Sequence, residues 1–135
     1  MTTTITITFN NKIAHYYDSF DELLQLPNYN EITSINCSNM NLTNLPQLPN
    51  CLTYLRCYYN ELTSLPLLPN SLTVLYCWNN NLTSLPQLPN SLIKLDCENN
   101  NLISLLELQT DSMSQPAIIS SSCGRRGLPN LLTHL

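Results

Sequence analysis

Apolar residues recur along this chain at a fixed interval. They fall at Leu52, Leu55, Cys57, Leu62 and Leu65, then at Leu72, Leu75, Cys77, Leu82 and Leu85, then at Leu92, Leu95, Cys97, Leu102 and Leu105. The step is twenty residues each time, and an earlier copy places Ile32, Ile35, Cys37, Leu42 and Leu45 in the same positions. Asn60, Asn80 and Asn100 keep the step as well. A strict period in this range predicts a stacked solenoid, because a unit this small buries its apolar face only against a neighbouring unit.

Within a unit the pattern changes character. Around Leu75 and Cys77 apolar and polar positions alternate, which predicts a short strand with those two side chains inward and Tyr76 outward. Strands stacked at this period form a narrow parallel sheet. Asn80 follows at the strand's end, where its amide both donates and accepts; repeated at Asn60 and Asn100 it predicts a buried asparagine ladder. Leu82 and Leu85 then return to the core. The remainder holds two prolines per unit, Pro46 and Pro49, Pro66 and Pro69, Pro86 and Pro89. Proline fixes φ and removes a donor, so this side is expected to be extended and polyproline-like, not helical. About six leucine-class side chains per unit, at roughly 1.5–3 kcal/mol each, stabilise the stack once a neighbour covers them.

The two ends differ from the middle. Residues 1–30 predict an N-terminal cap. Thr2 to Phe9 alternates Thr and Ile as a strand, Asn10-Asn11 turns the chain, and Lys12 to Tyr17 returns as the second arm of a hairpin. Ser19 and Glu22 have capping-box spacing before a short helix in which Phe20, Leu23 and Leu24 share a face. Residues 31–108 hold the four units. In residues 109–135 the pattern lapses: Ser112 and Gln115 occupy leucine positions and Ala117 a cysteine position. Leu128-Pro129-Asn130, Leu132 and Leu135 then return in phase. Two readings remain open, a divergent unit or a pair of compensating reading-frame changes. Either predicts a loosely packed segment from Gln109 to Gly127 and a degenerate, truncated end.

Composition narrows the functional classes. Apolar residues are 43% of the 135, charged residues 10%, and the net charge is −4. That balance is wrong for nucleic-acid binding, which wants a basic stripe, and for docking on anionic membranes. No apolar run is long enough to span a bilayer, and the first residues lack a secretory pattern, so an intracellular, cytoplasmic location is expected.

The pattern L-x-x-L-x-C-x-x-N-x-L-T-S-L-P-x-L-P-N, read from residues 32 to 108, resembles the leucine-rich repeat. It is similar to the short, roughly twenty-residue class found in bacterial type III effectors, and to arrays with cysteine at the sixth position in giant viruses of amoebae. The resemblance implies a curved solenoid whose concave strand face binds proteins, with the host cytoplasm as the place where effectors of this class do so. Some effectors of this class join the array to a ubiquitin-ligase domain with a catalytic cysteine. Cys123, in SSCGRRG, does not match that nucleophile.

The candidate site is the outward side of the strands. It comprises Tyr54, Arg56, Tyr58 and Tyr59 in the second unit and Val74, Tyr76, Trp78 and Asn79 in the third. Lys94, Asp96, Glu98 and Asn99 follow in the fourth, and Ser34, Asn36 and Ser38 precede in the first. Together they predict an aromatic centre between a polar and a charged end, of a composition common at protein interfaces. The other motifs have plainer explanations. The cysteine column reads as core packing, because parallel inward side chains do not converge on a tetrahedral metal. The P-x-x-P stretches and the Asn-Leu-Thr triplets at Asn41 and Asn81 belong to the repeat. His15 and His134 sit in no recognisable catalytic arrangement, and the only glycines are Gly124 and Gly127. The expectation is a non-enzymatic module with no cofactor or metal, binding a protein partner through its concave face. Two alternatives stand beside it: the recognition part of a ubiquitin-ligase-type effector without its catalytic domain, and a decayed repeat fragment without selected function.

Overall fold

A computed structural model describes residues 3–103 and the backbone of 118–119. The elements run β1 (Ile5–Thr8), β2 (Ala14–Tyr17), α1 (Phe20–Leu24), a 3-10 turn (Tyr29–Glu31), β3 (Ser34–Asn36), β4 (Tyr54–Arg56), β5 (Val74–Tyr76), β6 (Lys94–Asp96) and β7 (Ile118–Ile119). All seven strands form one sheet in the order β2-β1-β3-β4-β5-β6-β7. From β3 onward every pairing is parallel, and Ile35, Leu55, Leu75 and Leu95 stand opposite one another. The twenty-residue period is therefore the pairing register itself: one unit of sequence is one step across the sheet.

Each unit folds this way because its inward side chains have one place to go. Ile35, Leu55, Leu75 and Leu95 are buried, as are Ile32, Leu52, Leu72 and Leu92 and the four cysteines of the column. Leu62, Leu82 and Leu102 close the core from the return side, with Leu65 and Leu85 half-buried against it. The return segments contain no helix. Each ends in a tight turn in which the amide of Leu52, Leu72 or Leu92 donates to the carbonyl of Pro49, Pro69 or Pro89.

The hairpin of β1 and β2 closes the N-terminal end. β1 pairs antiparallel with both β2 and β3, so Ile5 and Ile7 are buried against the first unit. The connection is wider than the two-residue turn expected at Asn10-Asn11. Thr8 and Ala14 form the last pair, Lys12 adopts φ 62°, and its amide donates to the Phe9 carbonyl at 2.9 Å. The Ser19 hydroxyl caps α1 by accepting from the Glu22 amide at 3.4 Å. Leu23 is buried, Phe20 half-buried, and Leu24 is 43% exposed, so the predicted three-residue face is narrower in fact. Tyr29 fastens this end to the first return segment by donating its hydroxyl to the Gln47 carbonyl at 2.6 Å.

At the other end the structure departs from the repeat phase. β7 pairs parallel with β6, with Lys94 opposite Ile118 and Leu95 opposite Ile119. The step is 24 residues (118 − 94), where the period puts residue 114. The paired residues Ile118 and Ile119 are β-branched, a type suited to strands. The remainder of the predicted loose segment lies outside the described residues.

Candidate functional site

The strand face opposite the core carries three rows of side chains, two residues apart along each strand. Backbone register aligns Ser34, Tyr54, Val74 and Lys94 in the first row and Asn36, Arg56, Tyr76 and Asp96 in the second. Ser38, Tyr58, Trp78 and Glu98 follow in the third. All are partly or fully exposed, while the alternating residues are buried. The hairpin extends the second row through Thr6 to Tyr16 and the first through Thr8 to Ala14. The cap end of the face is thus mostly small and polar, and the aromatic residues rise from it at the second unit.

Those aromatic side chains pack on one another. Tyr58 and Trp78 stack with centroids 4.5 Å apart and planes at 9°. Tyr59 meets Trp78 edge-on at 4.6 Å, and Tyr58 at 6.0 Å. Tyr54 of the first row and Tyr76 of the second make an edge-to-face pair at 5.8 Å. Arg56 lies 4.7 Å from the Tyr54 ring centre and donates from Nη2 to the Tyr54 hydroxyl at 3.1 Å. The Lys94 ammonium bonds the Tyr76 hydroxyl and stands 5.2 Å from its ring centre, which draws the phenol below its ordinary pKa and raises that of the lysine. Such ring pairs contribute about 0.5–1.5 kcal/mol each, so the cluster is partly pre-assembled.

Tyr59 is the residue whose conformation the sequence conceals. Its φ is 52°, in the left-handed region, at a position where the other units have Asn39, Asn79 and Asn99 with φ of 59°, 52° and 54°. Asparagine tolerates this conformation; for a tyrosine it costs on the order of 1 kcal/mol. The strain is tied to one consequence, a 48% exposed ring placed against Trp78. The only available signal was the mismatch with asparagine in the aligned units.

Behind the face, hydrogen-bonded ladders hold the units in register. Asn60, Asn80 and Asn100 are buried. The Asn80 side-chain amide donates to the Cys77 carbonyl of its own unit at 3.1 Å and to the Cys57 carbonyl of the preceding one at 3.0 Å. Its Oδ1 accepts from the Leu62 amide at 3.0 Å. Asn60 and Asn100 repeat the arrangement. Each asparagine therefore joins two units as well as turning its own. A threonine ladder runs beside the strands: Thr33, Thr53 and Thr73 donate to the carbonyls of Thr8, Thr33 and Thr53. Ile93 takes the next place and has no hydroxyl to continue it.

The cysteine column is packing at three positions. Cys37, Cys57 and Cys77 are free, buried thiols, and burial raises all three, Cys37 to about 12. Cys97 departs from that reading, being disulfide-bonded; it is the last column member with a phased unit on only one side. Among the described residues no group of His, Cys, Asp or Glu side chains is arranged to hold a metal, and no helix is long and apolar enough to cross a membrane. A cavity of about 480 Å³ lies away from this face, lined by Phe20, Leu24, Met40, Leu42, Asp18 and Asp21 among others.

The chain matches no protein-family model and no curated protein. Among solved structures it is similar to YopM from Yersinia enterocolitica WA-314, at 43% identity and a TM-score of 0.51, over 51% of this chain and 15% of that one. It is also similar to a Shigella effector LRR domain, at 32% identity and a TM-score of 0.43, over 53% of this chain and 42% of that one. The chain thus spans well under two thirds of either neighbour. The twenty-residue register, the parallel sheet and the likeness to YopM agree: this chain is a leucine-rich-repeat solenoid, with an array resembling those of bacterial effectors.

Proposed function

We propose that the chain is a non-catalytic protein-binding module that engages its partner through the concave strand face. Tyr54, Tyr58, Tyr76 and Trp78 form the centre, Arg56 is a charged anchor, and Val74, Lys94, Asp96 and Glu98 complete the surface. In this reading residues 1–30 cap an array of four units, residues 31–108, and the partner is a protein met inside a cell. The supporting observation is the partly exposed aromatic cluster with Tyr59 held against it in a strained backbone conformation. Aromatic and arginine side chains dominate many interface energies, and strain of this kind concentrates at functional positions. The chemistry present supports recognition: stacked rings, hydroxyls, two cations and the carboxylates of Asp96 and Glu98.

Replacing Tyr76 and Trp78 together by Ala tests this in a quantitative pull-down, with Leu67→Gln on the opposite side as control. Leu67 is 84% exposed where other units carry glutamine, so its loss should change nothing. The double substitution should abolish the capture seen with the unaltered chain. Unchanged capture removes the concave face from consideration.

A further inference from the structure

The described residues contain three lysines or arginines, Lys12, Arg56 and Lys94, and both of those in the array stand on the concave face. They flank the Tyr54–Tyr76 pair, Arg56 at the Tyr54 ring and Lys94 at the Tyr76 hydroxyl. Neither makes an ion pair with a carboxylate among the described residues. The nearest candidate, Asp96, has one carboxylate oxygen accepting from the Glu98 amide at 3.2 Å, which turns it along its own strand. Arg56 is exposed and uses one donor on Tyr54, leaving the rest of its planar fork to solvent. In a chain of net charge −4, both array cations stand on one face, with Asp96 acting on Lys94 through space but with no ion pair to either cation among the described residues. Tyr54 and Lys94 stand in the first row and Arg56 and Tyr76 in the second; the Tyr58–Trp78 stack lies one row beyond the second, a displacement of about 6.6 Å for two strand residues. That displacement equals the i to i+2 spacing of an extended peptide.

We propose, resting on the concave-face reading above, that the occupant is an extended acidic segment of a partner protein. A carboxylate of that segment sits between Arg56 and Lys94 at the tyrosine hydroxyls, and an apolar or aromatic side chain two residues away packs against Tyr58 and Trp78. Charge complementarity selects the acid, since a guanidinium fork and a tyrosine-bonded ammonium gain most from an oxyanion. The spacing selects an extended backbone over a helix, in which residues i and i+2 diverge.

The test selects random-sequence peptides displayed on phage against the full chain. Enriched sequences should carry Asp or Glu two residues from an aromatic or large aliphatic residue, and their affinity should fall as salt rises. Joint substitution R56Q and K94Q should weaken a selected peptide about tenfold or more, whereas R56K with K94R, which keeps both charges, should weaken it less. Absence of acidic residues in the enriched set, salt-independent binding, or no enrichment overturns the inference. If Tyr58→Ala with Trp78→Ala abolishes binding and the glutamine pair leaves it intact, the concave face stands and the acidic preference falls. If neither pair affects binding, the concave-face reading itself fails.

Discussion

The two sides of the sheet follow opposite rules. Facing the core, successive units are nearly interchangeable: Leu55, Leu75 and Leu95 are buried, and Asn60, Asn80 and Asn100 make the same bonds. Facing outward, aligned positions share little, as Asn36, Arg56, Tyr76 and Asp96 show. The contrast has a physical origin. Buried positions are constrained by close packing and by the cost of unmade hydrogen bonds, whereas exposed ones tolerate many residues. What varies outward is therefore free to be set by something other than the fold.

The largest expected effect is on the core side. Asn80→Ala strips the Leu62 amide of its acceptor and the Cys57 and Cys77 carbonyls of their donor. It should destabilise the chain by about 4 kcal/mol, read from the urea midpoint. Leu75→Ala should cost about 3 kcal/mol by leaving a cavity at a fully buried position, in the same assay. Alkali offers a third test. Burial raises the thiols of Cys37, Cys57 and Cys77, Cys37 from 9.0 to about 12. Unfolded thiols lose protons first, so the stabilisation is whole below pH 9 and is lost as pH rises through 12. Between pH 9 and 10 each should cost about 1 kcal/mol, visible as a falling Tm. A Tm constant over that interval contradicts the burial of the column.

Substitutions on the outer face should be small in stability and large in binding. Tyr59→Asn restores the residue that other units place in the left-handed turn. Relief of backbone strain should stabilise by about 1 kcal/mol before the lost ring contact is subtracted, while binding weakens. A gain in stability with unaltered binding would separate the strain from function. Arg56→Gln should shift stability by less than about 0.5 kcal/mol, because its one hydrogen-bonded partner is an exposed-side tyrosine. A loss as great as that of Leu75→Ala would erase the distinction between the two sides.

Much of the architecture was legible because period and alternation are local signals. Leu75 inward and Tyr76 outward follow from neighbouring residues alone, as does the Ser19 cap of α1. Other features depend on the third dimension. That Asn80 reaches Cys57 requires knowing how one unit sits on the next. Tyr59 reads as an ordinary exposed aromatic residue until its backbone is seen. Leu24 satisfies the helical pattern, yet what packs over that face stops at Leu23 and leaves it 43% exposed. The four-residue displacement of β7 was hidden because in-phase prolines and leucines resume later in the sequence. For the face, the alternation located its residues, but the ring stacking and the placing of the two cations against tyrosines depend on side-chain conformations that no periodicity encodes.

The backward reach of each asparagine has a consequence for how such a chain lengthens. A unit arrives already carrying the fastener for its predecessor, so a duplicated block of one whole period joins properly at both seams. A block of any other length leaves one fastener without its mate. Growth and shrinkage by entire units are thus the changes the joints permit, and the width of the outer face can be adjusted without redesigning what holds it together.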